Sequence, residues 1–202
     1  RILQSKVYLD EATGLPNKNK FEEILNTPDL LSAQDAVAIC VFDLNNLRNI
    51  NNNLGHDKGD EYIRSFAVQL RIAVADEYFV GRDGGDEFIA VLKNVTRMQV
   101  EECLRDIREQ AAKYSKEYPE MPISYAVGYA MSQDFEQSTM RELFRYADKN
   151  MYIDKNRAKM EEAAEEKRMN QRLLAKVKEM GYQFSDCIYC DALLDQYYVL
   201  RA

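Results

Sequence analysis

The chain has 202 residues, of which 46% are hydrophobic and 30% are charged, and its formal net charge is −7 at pH 7. These values are typical of a globular protein with one main domain, and the negative charge argues against binding along a nucleic-acid polymer, which needs a basic face. No apolar run approaches the length of a membrane span, and no signal-peptide pattern is present. Because the first residue is Arg1 and not Met, we expect a piece of a longer protein.

The first half of the chain predicts helices around one buried strand. Residues 1–9 have the pattern of the end of a helix that leads into the domain, and another helix is predicted after the Gly-Leu-Pro-Asn break at 14–17. The continuous apolar run "AVAICVFDL", residues 36–44, predicts a central strand that ends at Asp43. A short helix, a glycine loop and then an amphipathic helix from Asp60 are predicted to follow.

The second half predicts a hairpin, a helix, a strand and a long helix. The segment "EYFVGRDGGDEFIAVL", residues 77–92, indicates two strands joined by a tight turn, because glycine tolerates positive φ angles. A helix capped by Thr96 and the strand "MPISYAVGYAMS" come next. The long helix starts at about Thr139 and places on one face Leu143, Tyr146, Ala147 and Met151. This order predicts an α/β sandwich with a mixed or antiparallel sheet covered by helices.

Three carboxylates stand at predicted strand ends. Asp43 ends one strand, and Asp86 and Glu87 open another, so neighbouring strands would bring all three to one edge of the sheet. Hard oxygen ligands of this kind suit Mg²⁺ together with substrate phosphates, and a bound metal would also reverse the local negative field. Gly84 and Gly85 leave room for a triphosphate near the backbone. The alternative, a solvated acidic hairpin, does not account for Asp43 at the end of a buried strand.

Four blocks of the sequence occur in a recognisable order. They are "DEATGLPNKNKF", "FDLNNLRNINNNLGHDKGD", "GGDEF" with Arg82 before it, and "ADKNMYIDKNRAK". Together they resemble the GGDEF family, the bacterial diguanylate cyclases, and they cover about residues 8–160. The chain departs from the family pattern at Ala12, Lys18, Asn45, Arg48, Asn150, Asp154, Ala158 and Lys159.

The resemblance implies a fold and a reaction. The fold is a palm-like nucleotidyl cyclase sandwich, with a central, mainly antiparallel sheet flanked by helices. The expected organisation is a linker or signalling-helix end at 1–7, a cyclase domain at 8–160 and a long C-terminal helical extension of unknown role at 161–202. The reaction condenses two GTP into cyclic di-GMP and two pyrophosphates, with each subunit of a homodimer holding one GTP.

The resemblance also implies a set of site residues. Two Mg²⁺ ions, with Mn²⁺ as a substitute, would be bound by Asp43, the Leu44 carbonyl, Asp86 and Glu87. Asp86 is expected as the base for the 3′-hydroxyl, and Arg48 stands where the family has a phosphate-binding lysine. Substrate would contact Asn51, His56, Asp60, Gly84, Gly85, Lys155 and Lys159. Asp60 can accept hydrogen bonds from guanine N1–H and N2–H₂, which adenine lacks as a pair, so GTP is expected over ATP.

Other readings of these residues stay open. His56 is either a loop scaffold or a base contact, and Arg48, Lys155 and Lys159 are alternatively solvated helix cations. Two rival functions also remain: a GTP- or cyclic-dinucleotide-binding receptor without activity, and a dimerisation module. The acidic pair Asp86–Glu87 argues against the silent receptor.

Two further expectations concern regulation and location. Many family members carry an Arg-x-x-Asp product-binding motif before the signature, but Ala75 and Tyr78 occupy those positions here, so we expect no feedback inhibition at this surface. We expect a cytoplasmic location, with an N-terminally fused sensor outside this chain. The four cysteines form no disulfide pattern, and Cys187-x-x-Cys190 lacks the second pair that a zinc site needs.

Overall fold

The computed structural model describes residues 7–28 and 30–179. The chain divides into two compact units, Arg1–Lys155 and Asn156–Ala202. The cysteine pair Cys187 and Cys190 lies outside the described residues, as do residues 1–6 of the predicted entering helix and residues 180–202 of the predicted extension. No helix in the described part of the chain is both long and apolar enough to cross a membrane.

The first unit is built on one antiparallel sheet. Its strands are β1 (Ala38–Leu44), β2 (Phe79–Gly84), β3 (Glu87–Leu92) and β4 (Tyr125–Met131). Their spatial order is β2-β3-β1-β4, and each neighbouring pair is antiparallel. The predicted central strand and the predicted hairpin are both confirmed, and β1 lies between β3 and β4.

Within residues 18–179, five α-helices accompany the strands. They are α1 (Lys18–Leu25), α2 (Leu47–Leu54), α3 (His56–Ala73), α4 (Arg97–Glu117) and α5 (Met140–Glu179). Thr96 caps α4 as predicted, and a capping box with Gln99 completes that N-terminus. In the second unit, residues 156–179 form the C-terminal part of α5, and most of their side chains are exposed.

Every residue of β1 is buried because helices cover both faces of the sheet. Side chains alternate along a strand, so Cys40 and Phe42 join the core formed with α3 and α4. Ile39 and Val41 face the opposite way, into the core formed with α1 and α5. Asp43 has the same parity as Ile39 and Val41, and therefore points to the α5 face. The predicted sandwich with helices on both faces is confirmed.

Gly128 of β4 allows α5 to lie close to the sheet. A Cβ atom at this position would overlap backbone atoms of Ala147, Asn150 and Met151. The face of α5 that packs here is formed by Leu143, Ala147 and Met151, all buried as predicted. Tyr146 was also predicted on this face, and that prediction was wrong: its side chain is 46% exposed and stacks on Phe135.

The start of α3 also differs from the prediction. The sequence indicated a glycine loop and a helix from Asp60, but α3 begins one turn earlier, at His56. Gly55 alone makes the turn, with a φ of 91°. Gly59 is buried inside α3, where a Cβ would overlap the side-chain amide of Asn51. This glycine therefore allows α2 and α3 to lie close together. From the sequence alone, the same glycine indicated a loop.

Candidate active site

The three predicted carboxylates meet where β1 ends and β3 begins. Asp43 and Glu87 are direct cross-strand partners, and the Leu44 N–H donates to the Asp86 carbonyl at 2.8 Å. Directly opposite residues of an antiparallel pair place their side chains on the same face. Asp43 is only 6% exposed, and Asp86 and Glu87 are partly buried. The structure therefore brings together the carboxylates that the sequence assigned to one site.

This arrangement concentrates negative charge. Burial raises the pKa of Glu87 above its ordinary value, and the neighbouring carboxylates of Asp83, Asp43, Asp86 and Asp148 raise it further. Like charges directly opposite each other in a sheet are destabilising. The site therefore favours cations.

Lys155 of α5 supplies one cation within the first unit. Its Nζ donates to both carboxylate oxygens of Asp43, at 2.7 Å each. The lysine follows Ala147 and Met151 at intervals of four residues, so it extends the helix stripe that faces the sheet. Its side chain is 27% exposed, and the pair is thus shielded from solvent on most sides. Sequence reasoning assigned Lys155 to phosphate and missed this contact with Asp43.

The residues present fit a divalent cation by their chemistry. Carboxylates and a backbone carbonyl are the donors that Mg²⁺ prefers. Burial, and after it the acidic neighbours, raise the pKa of Glu87, and a bound cation would stabilise the charged form of this carboxyl. In the described part of the chain, however, no three His, Cys, Asp or Glu side chains are arranged as ready-made metal ligands. Metal binding by Asp43, Leu44, Asp86 and Glu87 therefore belongs to the proposal below.

The turn between β2 and β3 requires glycine for its backbone. Gly84 has a φ of 147° and Gly85 a φ of 52°, and a Cβ at either position would meet no atom within 4 Å. Both residues are exposed. The requirement is therefore conformational, and the exposed backbone leaves open space in front of the turn, as predicted.

Arg82 braces this turn from behind. Its Nε and Nη2 donate to the Gly85 carbonyl at 3.1 and 2.6 Å, and its Nη1 donates to Asp10 at 3.0 Å. Burial alone would raise the pKa of Asp10, but hydrogen bonds from Thr13 and Arg82 outweigh it and hold the pKa below its ordinary value. The two ends of this brace stand in separate sequence blocks, and the sequence carried no signal that joins them.

The remaining predicted site residues lie on α2, α3 and α5. Arg48 is exposed on α2, while His56 and Asp60 are exposed on the first turns of α3. The Asn51 side chain lies against Gly59, the neighbour of Asp60, so the two predicted guanine contacts stand close together where α2 meets α3. Lys159 is exposed on α5 and belongs to the second unit.

Comparison with known proteins identifies the architecture. A family model described as "Diguanylate cyclase, GGDEF domain" matches residues 7–161. The chain belongs to the GGDEF diguanylate cyclase domain family. Among solved structures, the coiled coil and GGDEF domain of DgcB from Caulobacter crescentus, in complex with c-di-GMP, has a TM-score of 0.64 at 20% identity, over 77% of this chain and 84% of that one. This likeness shows the same fold for the present GGDEF domain.

Two further relatives are longer than the part that this chain matches. The diguanylate cyclase SiaD from Pseudomonas aeruginosa, solved with its activator SiaC, has a TM-score of 0.63 at 18% identity, over 77% of this chain and 60% of that one. An uncharacterized membrane protein of Staphylococcus saprophyticus is 29% identical over 155 residues, which are 73% of this chain and 43% of the relative. The GGDEF domain thus spans less than half the length of such curated relatives.

Proposed function

We propose that this GGDEF domain is an active diguanylate cyclase, which condenses two GTP into cyclic di-GMP and two pyrophosphates. The observation that carries the proposal is the cross-strand pair Asp43–Glu87 beside the Gly84–Gly85 turn. A silent receptor or a dimerisation module has no need for a buried carboxylate that opposes a second one. The catalytic domain is assigned to residues 8–160, after the linker at 1–7, and the extension at 161–202 receives no role.

The carboxylates are assigned to the metals and to the reacting hydroxyl. Asp43, the Leu44 carbonyl, Asp86 and Glu87 would hold two Mg²⁺ ions, with Mn²⁺ as a substitute. When bound, such ions polarise the α-phosphate and lower the pKa of the attacking 3′-hydroxyl. Asp86 accepts the proton of that hydroxyl, and Glu87 helps to hold the charge balance at the sheet edge. The open backbone at Gly84 and Gly85 admits the triphosphate.

The guanine base is assigned to the junction of α2 and α3. Asp60 accepts from the guanine N1–H and N2–H₂ groups, and Asn51 binds the same edge. His56 begins α3 beside them, exposed to the same solvent-facing side of the helix start. ATP would leave the Asp60 carboxylate without its donors, so the site discriminates against adenine.

Three cations are assigned to phosphate. Arg48 follows β1 closely along the chain and offers a planar fork where the family has lysine. Lys155 neutralises Asp43 before substrate arrives, and its flexible stem lets the ammonium turn to the terminal phosphates of GTP. Lys159 is the second cation that the family resemblance assigns to those phosphates.

One subunit holds one GTP, so the reaction needs a homodimer. Each 3′-hydroxyl attacks the α-phosphate of the GTP on the other subunit. A sensor segment fused before residue 1 would control this encounter, in keeping with the greater length of the curated relatives. Those relatives are called membrane proteins. Because GTP is an intracellular nucleotide, we assign the domain to the cytoplasmic side.

The test is to incubate the protein with GTP and Mg²⁺ and to separate the products by chromatography. The cyclase predicts pyrophosphate and cyclic di-GMP, both lost in Asp86→Asn, while thermal unfolding shows that the variant remains folded. Binding of GTP or cyclic di-GMP without turnover would identify a receptor instead. No nucleotide binding, together with a stable dimer, would leave only the dimerisation module.

A further inference from the structure

The outer edge of β4 is closed by two polar side chains of α5. This strand stands at the end of the sheet order, so one row of its backbone groups faces away from β1. The Asn150 side-chain amide donates to the Tyr129 carbonyl at 2.8 Å, and the Val127 N–H donates to the Asp154 carboxylate at 3.1 Å. Unpaired strand edges are costly when they are sheltered from water. Asn150 and Asp154 therefore satisfy two of these edge groups, the Val127 N–H in a partly buried hydrogen bond and the Tyr129 carbonyl in an exposed one.

The distance between the two contacts along α5 matches the distance between them along β4. Four residues along a helix advance about 6 Å, and two residues along a strand advance about 6.6 Å. Asn150 meets Tyr129 and Asp154 meets Val127, so α5 runs opposite to β4. Gly128, between the two strand residues, lets the helix backbone come close. The two hydrogen bonds and the glycine together set the register of α5 on the strand.

Lys155 directly follows Asp154 and reaches Asp43 with both of its hydrogen bonds. A sliding or lifting of α5 at this point would move the ammonium away from that carboxylate. Neither Asn150 nor Asp154 follows the family pattern, which has alanine at both positions, so this chain carries a fastening that the pattern lacks.

We propose that Asn150 and Asp154 are positioning residues: they fasten α5 to the edge of β4 and thereby hold Lys155 on Asp43. The consequence for GTP rests on the proposed function, because only there does Lys155 receive a phosphate. The fastening itself does not depend on turnover, and it can be measured on the protein without substrate.

The experiment measures how fast Lys155 is acetylated by an N-hydroxysuccinimide ester, read by peptide mass spectrometry at low conversion. A Lys155 side chain held against Asp43 is reached slowly by the reagent, whereas a side chain released into solvent is reached quickly. Asp154→Ala and Asn150→Asp should both raise the rate at Lys155 at least about fivefold, since each removes one hydrogen bond to β4. Lys149, exposed on the same helix, is the internal reference and should not change.

Asp154→Asn separates fastening from charge. Its side-chain carbonyl can still accept from the Val127 N–H, so the rate at Lys155 should stay within about twofold of the parent. Asp43→Asn removes the charged partner of Lys155 and gives the upper limit of the acetylation rate at Lys155. Amide exchange of Val41, in the buried centre of β1, reports whether each variant is folded. Should Asp154→Ala unfold, Asn150→Asp, which keeps the size of the side chain, decides the same point.

Two results would overturn the proposal. One is an unchanged rate at Lys155 in the folded Asp154→Ala or Asn150→Asp variant. The other is an Asp154→Asn rate as high as that of Asp154→Ala, which would make Asp154 an electrostatic neighbour of Lys155 instead of a fastener. In turnover assays, we expect Asp154→Ala to raise the KM for GTP and Asp154→Asn to keep the KM near the parent value. If the parent protein shows no turnover, the proposed cyclase activity is rejected. The acetylation rates still test whether Asn150 and Asp154 hold α5 on β4.

Discussion

Replacing Lys155 with Met removes the cation from Asp43 while keeping the length of the side chain. Both hydrogen bonds of 2.7 Å are lost, and a carboxylate that is 6% exposed is left beside Glu87. Breaking a fully buried ion pair costs about 3–5 kcal/mol, and a hydrogen bond to a charged group contributes about 1.5–3 kcal/mol. Since Lys155 is partly exposed, we expect the free energy of unfolding at pH 7 to fall by about 2–3 kcal/mol.

The assay is urea unfolding followed by circular dichroism, with Asp43→Asn and the double variant completing a cycle. A loss of this size should lower Tm by about 5–10 °C for a domain of this length. The double variant should be more stable than the sum of the single effects predicts, with a coupling energy of about 1.5–3 kcal/mol. A coupling energy below about 0.5 kcal/mol would refute the reasoning, because it would show that the pair does not stabilise the fold.

Three further predictions follow from the site. Asp60→Ala should weaken GTP binding by about 2 kcal/mol and leave ATP binding nearly unchanged in calorimetry; equal losses for both nucleotides would make Asp60 a scaffold residue. Burial and its acidic neighbours raise the pKa of Glu87, so the folded state loses stability as pH rises through that pKa. Glu87→Gln should therefore raise the free energy of unfolding at pH 7, by less than about 1 kcal/mol after solvent screening. Below about pH 4, where Glu87 is protonated in both states, the variant and the parent should be equally stable. A difference in the free energy of unfolding that persists below about pH 4 would show that the charge of Glu87 is not its cause. Ala75 is exposed and Tyr78 packs against the core, so added cyclic di-GMP should inhibit only in competition with GTP; non-competitive inhibition that is lost on mutating residues 75–78 would disprove this.

Strand pairing made the acidic part of the site predictable. The apolar run before Asp43 and the Gly-Gly turn before Glu87 both have strong local signals, and neighbouring strands must then bring their carboxylates to one edge. The position of Lys155 was also accessible in principle, since it continues the stripe of Leu143, Ala147 and Met151. Its partner was not, because the reach to Asp43 depends on how closely α5 approaches the sheet at Gly128.

Contacts between distant segments could not be derived from local pattern. Arg82 and Asp10 are separated by 72 residues, and only the folded chain joins them behind the Gly85 carbonyl. Asn150 and Asp154 resemble ordinary solvent-facing helix residues, because a strand edge leaves no mark in the sequence of the helix that covers it. Gly59 was read as a loop signal for a similar reason: the close approach of Asn51 that requires it is a tertiary feature.

The central claim is that two subunits, each with one GTP, make cyclic di-GMP at the Asp43–Glu87 edge. The most direct measurement is the rate of cyclic di-GMP formation per subunit, with GTP and Mg²⁺, as a function of protein concentration. An active dimeric cyclase predicts two pyrophosphates per cyclic product, and a rate per subunit that rises with protein concentration until dimers predominate. It also predicts no product with Asp86→Asn. Folded, GTP-bound protein that yields no cyclic di-GMP at any concentration would contradict it.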